Sequence, residues 1–355
     1  MIAFDGGYFA FINKLINGDM DIWQRGTTFT VSASSVYTAD RWAMYTDTLR
    51  PGRGNITQSS DVPSNSEFQT SLQFQVTTVS NANNQPLTFR QIIEGYNARD
   101  LIGQTFNISF WVKSSKTGTY SVCLGNAGNG MVSDRSYVTE YTINTNNWEK
   151  KTIVVPGGLI TAGTWNWTNG RGLEVIFGMA GAGTSTPLNT WVTGNIETSP
   201  NQVNLLDVVG NTFNITGVQL ERGVAATPFE HRPIGTELAL CHRYYNRESW
   251  INPDIYPYLC VNGYMYGTTQ WEGMYFFPVE MRTPPLFSYS NLNHFKIRYN
   301  PSIVLTNFSI YRPTTKNVLL VTANAAIGSP GISTGLQTSQ NATGINAWFA
   351  FDSEL

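Results

Sequence analysis

Period-two alternation of apolar and polar residues constrains this chain more than any other feature. In "TSLQFQVTTV", Leu72, Phe74 and Val76 share one side of an extended chain while Gln73 and Gln75 take the other, because successive strand side chains point to opposite faces. "FNISFWVKSS" repeats the pattern, setting Phe106, Ile108, Phe110 and Val112 against Asn107, Ser109, Trp111 and Lys113. In "LEVIFGMA", Leu173, Val175, Phe177 and Met179 form one row. Such rows describe antiparallel strands with one buried face. Gly, Asn and Thr clusters separate them, and no helical period arises before residue 230. The expected architecture is all-β: an antiparallel β-sandwich (jelly roll), a short connector helix and a second, smaller β domain.

A chain of 355 residues has room for two cores. The pattern changes at "ATPFEHRPIGTELALCHRYYNRES". There Thr236, with Glu237 and Pro233, supplies helix-start signals, and Leu238, Cys241, Tyr244 and Tyr245 recur at helical spacing. Beyond Ser249 the segments are β-like again, shorter and richer in aromatics, with "ANAAIGSPGISTGLQTSQNATG" as a long polar loop before the last strand. This reading gives an N-terminal peptide over 1–14, a jelly roll over 15–230, a connector helix over 231–248 and a C-terminal β-sandwich over 249–355.

Charged residues make up 13% of the chain, about half of the roughly 25% usual in soluble domains. Asn, Thr, Ser, Gln and Gly take their place, a surface suited to neutral polar partners. With a net charge of −2 and no basic run, nucleic acid and anionic membranes are poor partners. No segment approaches the ~18 apolar residues of a membrane span. The start "MIAFDGGYFAFINK" has neither a basic opening nor a small-residue cleavage site, so the protein is read as folding in the cytoplasm without secretion.

Tests for catalysis come back empty. Cys123, Cys241 and Cys260 lack metal spacing, and His231, His242 and His294 form no HxxxH or HExxH arrangement. No GxSxG elbow occurs, and "LGNAGNGM" and "FGMAGAGTSTP" open no helix with a following lysine. Glu94, Asp100, Glu140, Glu149 and Glu174 show no spacing that marks a glycosidase pair. The expectation is a non-enzyme.

Aromatic residues in polar surroundings are more informative. "GTWNWTNG" sets Trp165 and Trp167 on one side of an extended segment, with Arg171 beside them. Trp191 follows in "LNTWVTGN", and Tyr137 and Tyr141 flank "VTE". Sugar rings stack their apolar faces on aromatic planes, and Asn, Gln and Arg bind the hydroxyls. The alternative is that these rings fill the core or its rim, as Trp commonly does. The candidate carbohydrate contacts are Trp165, Trp167, Trp191, Tyr137, Tyr141 and Arg171. In "LINGDMDIWQRG", Leu15, Asn17, Asp19 and Asp21 alternate against Ile16, Gly18, Met20 and Ile22. That pattern reads as the opening strand of the jelly roll, its carboxylates facing Arg25, Arg41 or a cation.

Several segments resemble a family of bacteriophage virion proteins described as tail-fibre or receptor-binding proteins. They are "LINGDMDIWQRGTTFT…YTADRW", "IIEGYNARDLIGQTFNISFWVKSSKTGTYSV", "DRSYVTEYTINTNNWEKKTIVVPG" and "NQVNLLDVVGNTFNITGVQLERGVAATPFEHRPIGTELALCHRYYNR". The resemblance runs from Leu15 to about Arg247. Within it, "NGD…FNISFWVKSS…FNITGVQLE" is similar to jelly-roll carbohydrate-binding modules. It implies a virion location, host surface polysaccharide and other virion proteins as partners, a homotrimer, and receptor binding without catalysis. Two other roles compete: a structural virion component (capsid decoration, head fibre or tail adaptor) and a polysaccharide depolymerase. Such modules often hold a structural calcium between the opening acidic segment and the closing strand. Asn17 and Asp19 match the opening, but the closing strand carries Asn214 and Thr216 where an Asp-Asn pair is common, so no cofactor is expected.

Overall fold

The computed structural model describes residues 11–31, 35–46, 54–81, 86–101, 103–128, 132–157, 162–181, 183, 186–250, 259–299, 302–324, 329–339 and 347–355. Most of the N-terminal peptide expected over 1–14 lies outside them. The chain divides into two units, one formed by 1–237 with Leu355 and the other by 238–354.

Thirteen strands build the first unit. They are β1 (Thr28–Val31), β2 (Val36–Tyr37), β3 (Ala43–Thr46), β4 (Gly54–Ser59), β5 (Ser71–Val76), β6 (Leu87–Glu94), β7 (Phe106–Ser114), β8 (Gly118–Asn126), β9 (Arg135–Ile143), β10 (Glu149–Val155), β11 (Arg171–Ala180), β12 (Trp191–Thr193) and β13 (Thr212–Arg222). They form a six-stranded sheet, β1-β4-β5-β13-β7-β10, and a seven-stranded sheet, β12-β9-β8-β11-β6-β3-β2. All described pairings within them are antiparallel. The alternating rows meet between the sheets: Leu72, Phe74, Ile108, Phe110 and Val112 from one, and Val122, Leu124, Val175 and Phe177 from the other, all in one buried cluster. Each such side chain contributes about 1.5–3 kcal/mol when fully buried. β11 is buried along its whole length, so its outward residues are covered as well as its inward ones.

The opening segment departs from the expected strand. Residues 15–26 are irregular, and Asn17 and Met20 have φ of 56° and 63°, which breaks the alternation an extended chain needs. The fully buried Asn17 amide explains the shape: Nδ2 donates to the carbonyls of Ile22 and Asp40, and Oδ1 accepts from Ile22 N–H at 2.9 Å. The Asn-Gly-Asp motif is a buried plug at one end of the sandwich. A four-residue helix, α1 (Gly95–Ala98), also precedes residue 230.

The helix α2 spans Ile234–His242 and starts ahead of Thr236, whose N–H already donates to Pro233 O. Tyr245 belongs to the following strand. The second unit contains β14 (Tyr245–Trp250), β15 (Leu259–Met265), β16 (Gln270–Phe276), β17 (Leu286–Tyr289), β18 (Phe295–Ile297), β19 (Ile303–Tyr311), β20 (Asn317–Asn324), β21 (Ser333–Thr338) and β22 (Ala347–Asp352). Six of them close a barrel, β15-β16-β20-β19-β18-β21, and β14-β22-β17 form a separate sheet. The expected sandwich is thus a barrel with an added sheet, and part of the expected polar loop is strand β21. Trp271, fully buried, fills the barrel. Gly263 and Gly273 admit its indole, since a Cβ on either would stand 2.6 or 2.3 Å from the ring.

Candidate functional site

The outer face of the seven-stranded sheet carries an unusual set of charges. Register places Tyr37 beside Ala43, Ala43 beside Arg90, Arg90 beside Ile176, and Ile92 beside Glu174. These residues all point away from the core, because their chain neighbours Met44, Phe89, Val175 and Phe177 point into it. Arg90 Nη1 lies 3.0 Å from Glu174 Oε1, and Nη2 lies 3.0 Å from Glu197 Oε2. Its Nη2 also donates to Thr88 Oγ1 at 2.6 Å, and the guanidinium sits 4.1 Å from the centre of the Tyr45 ring. The second oxygen of Glu174 pairs with Arg171, which in turn donates to Ser133 Oγ at 2.7 Å. Burial works to lower the pKa of Arg90, but Glu174 and then Glu197 outweigh it and raise it above the usual arginine value.

These groups border a cleft of about 360 Å³, whose walls include Tyr37, Arg41, Tyr45, Arg90, Ile92, Asn195 and Glu197. The other part of the same face is closed: Cys123, Val138 and Ile176 form a small apolar cluster under Leu188 and Ile196. The chain after β11 therefore folds back over the sheet and brings Glu197 to Arg90. The cleft offers ring faces and polar groups on a rigid floor, with the Arg90 guanidinium held by Thr88, Glu174 and Glu197.

The sequence-derived candidates are distributed differently. Trp165, Trp167, Trp191 and Tyr137 come together at the rim of the sandwich. Trp165 and Trp167 stack with centroids 5.4 Å apart and planes 3° from parallel, Trp165 meets Trp191 edge-on at 5.6 Å, and Trp191 lies 5.8 Å from Tyr137. Trp165 and Trp167 are half-buried, whereas Trp191 and Tyr137 are buried in the main core. Tyr141 lies elsewhere in that core, stacked on Tyr120 and edge-on to Phe110. Tyr137 and Tyr141 thus present no ring to solvent, and Arg171 is engaged with Glu174 and Ser133. The residues that the sequence reading missed are Tyr37, Tyr45, Arg90 and Glu197, and it considered Glu174 only as an unpaired carboxylate.

At the plug, Asn17 and Thr216 already have protein partners. The Asn17 amide is occupied by backbone groups. Thr216 Oγ1 lies 3.0 Å from Asp19 O and 2.9 Å from Thr70 O, so a hydroxyl proton joins the opening segment to the closing strand. Asn214 lies under Gln73 with its Oδ1 at 3.5 Å from Nε2. Among the described residues no group of three or more His, Cys, Asp or Glu is placed to hold a metal ion.

No family model matches the chain, and no curated protein matches it. Similar solved structures include the enzymatically active domain of tailspike protein 4 from bacteriophage CBA120, with 19% identity and a TM-score of 0.34. That match covers 60% of this chain and 22% of the tailspike chain. A family 11 carbohydrate-binding module from Clostridium thermocellum, in complex with a mixed-linked tetrasaccharide, shows 11% identity and a TM-score of 0.32, covering 56% of this chain and 98% of the module. A putative sugar-binding protein from Bacteroides thetaiotaomicron shows 11% identity and a TM-score of 0.33, covering 59% and 100%.

Proposed function

We propose that this protein is a non-catalytic saccharide-binding protein of a phage particle, a tail fibre or receptor-binding protein that adheres to host surface polysaccharide. The observation that carries the binding reading is the cleft on the seven-stranded sheet. Its Arg90 is fixed by Thr88, Glu174 and Glu197 and stacked on Tyr45. Burying such charges is costly unless every partner is in place, and here the partnered cluster forms a fixed polar floor beside the Tyr45 ring in an open cleft. Both Glu174 oxygens already accept from arginines, which suits a binding wall better than an acid catalyst. The virion setting, the homotrimer and the other virion proteins as partners rest on the resemblance of segments between Leu15 and Arg247.

A glycan array probed with the full chain tests the reading. The expected result is saturable binding to a host-type polysaccharide, lost on Tyr45→Ala and retained on Trp165→Ala, with no oligosaccharide released. Binding that survives Tyr45→Ala and Arg90→Lys together defeats the cleft assignment. The alternative role of structural virion component is favoured by one observation, the exposed apolar side chains Met274, Phe276 and Tyr311 on the two barrel strands that flank β20, a surface suited to protein contacts.

A further inference from the structure

We infer that the opposite face of the sandwich carries a second, independent saccharide site, selective for acidic sugars. Its centre is the break in β13. The register of β13 against β7 shifts between Thr216 and Gln219, opposite Trp111 and Ser109. Gly217 sits in the break with φ 61°, and a Cβ there would stand 2.5 Å from the Phe68 ring. The bulge and the missing side chain let Phe68 pack down on the sheet, with Phe229 edge-on to it at 5.2 Å. Bulges of this kind re-aim side chains beside binding sites.

The result is a cleft of about 490 Å³, floored by Trp111, Ser109 and Gly217 and walled by Phe68 and Phe229. Three of its groups are uncommitted. Ser109 is 3% exposed, yet its hydroxyl has no hydrogen-bond partner among the described residues. Its hydroxyl opens into the cleft, where a ligand or solvent can reach it. The Trp111 indole N–H is likewise without a partner among the described residues, and the Lys150 ammonium, on the residue paired with Trp111, has no described carboxylate within ion-pair distance. Glu67 is the other charged lining residue, and His231, 3.3 Å away, balances its charge only when the imidazole is protonated. An aromatic plane, two donors at its edge and the Lys150 ammonium match a pyranose ring bearing a carboxylate. Neither Tyr45 nor Arg90 lines this cleft, so the site stands or falls independently of the one on the seven-stranded sheet.

Calorimetric titration of the full chain with tetragalacturonate, and with neutral β-1,4-galactotetraose as control, tests the inference. Trp111→Ala and Lys150→Gln should each weaken tetragalacturonate binding at least tenfold, whereas Tyr45→Ala leaves it unchanged. The wild type should bind the neutral tetrasaccharide at least tenfold more weakly, and rising salt should erode the difference. Circular dichroism of Lys150→Gln, a surface change, checks that folding is intact even if Trp111→Ala is destabilised. No binding of tetragalacturonate by the wild type at millimolar concentration overturns the inference. So does binding that resists both cleft variants, or that is lost instead on Tyr45→Ala. Equal affinity for the acidic and neutral probes refutes the selectivity for acidic sugars.

Discussion

Replacing Asp19 by asparagine should stabilise the protein at neutral pH. Burial pushes the Asp19 carboxyl up to about 6 from 3.8, with Asp21 and then Glu237 adding repulsion, against weaker support from its own backbone N–H and His231. The folded protein therefore binds this proton more tightly than the unfolded chain does. Stability from this group is intact below about pH 4, falls as pH rises through about 6, and stays reduced above. At about 1.4 kcal/mol per pH unit, the displacement from 3.8 to about 6 corresponds to about 3 kcal/mol. Asp19 is partly exposed, and solvent screening reduces the expected gain to about 1–2 kcal/mol. Asp40, pushed up to about 6 chiefly by burial, adds a slope of the same sign, so the comparison must be made between variant and wild type at each pH. Urea denaturation of both proteins at about pH 4 and about pH 7.5 reads the effect. With a slope near 3 kcal/mol per molar urea, Asp19→Asn should raise the first unit's midpoint by about 0.3–0.7 M at the higher pH and leave it nearly unchanged at the lower. A variant equally or less stable at the higher pH, or one with the same gain at both pH values, refutes the reasoning.

Two further outcomes depend on other parts of the first unit. Glu174→Gln keeps the shape but removes the charge that Arg90 and Arg171 share. Charge-assisted hydrogen bonds exceed neutral ones by about 1 kcal/mol each, so denaturation should show a loss of about 2 kcal/mol that persists in about 1 M NaCl, because a buried pair is poorly screened. Neither EDTA nor millimolar calcium should move the thermal midpoint by more than about 1 °C, since Thr216 closes the plug by hydrogen bonding. A calcium-dependent rise of several degrees in differential scanning calorimetry contradicts that account of the plug.

The sandwich was legible wherever one face of a strand is dry. Leu72, Phe74 and Val76, or Phe106, Ile108, Phe110 and Val112, repeat at period two because the opposite face of their sheet is polar, and all of them are buried. The same pattern misled at residues 15–22, where alternation in composition sits on a chain turned by two positive-φ residues. Composition carries no record of φ when the turning residue is Asn or Met in place of Gly. β21 went unread for the opposite reason: among Ser333–Thr338, Leu336 is the one large apolar residue placed in the barrel. The aromatic candidates show how partial such signals are. Tyr137 and Tyr141 share a face with Thr139, but only the pairing with Leu124 and Tyr120 on β8 reveals that this face points inward.

The cleft was hidden because its partners are distant in sequence. Arg90 and Glu174 are 84 residues apart, and Glu197 reaches them from a third segment. What the sequence did contain was a charge inside each of two strands, Arg90 in "LTFRQIIE" and Glu174 in "LEVIFGMA". A charge at an alternate position of a central strand is tolerated only where it finds a partner or a solvent opening, and two such charges on paired strands meet that condition together. The consequence reaches function. Central strands held by ladders on both sides fix Arg90 before any ligand arrives, so binding there pays little in ordering. The Trp111 cleft has a sheet floor but walls from the segments around Phe68 and Phe229, outside the ladder. Ligand ordering of those walls should make it the weaker site taken alone. If both proposed clefts bind saccharide, a polysaccharide long enough to engage both faces gains affinity through effective concentration.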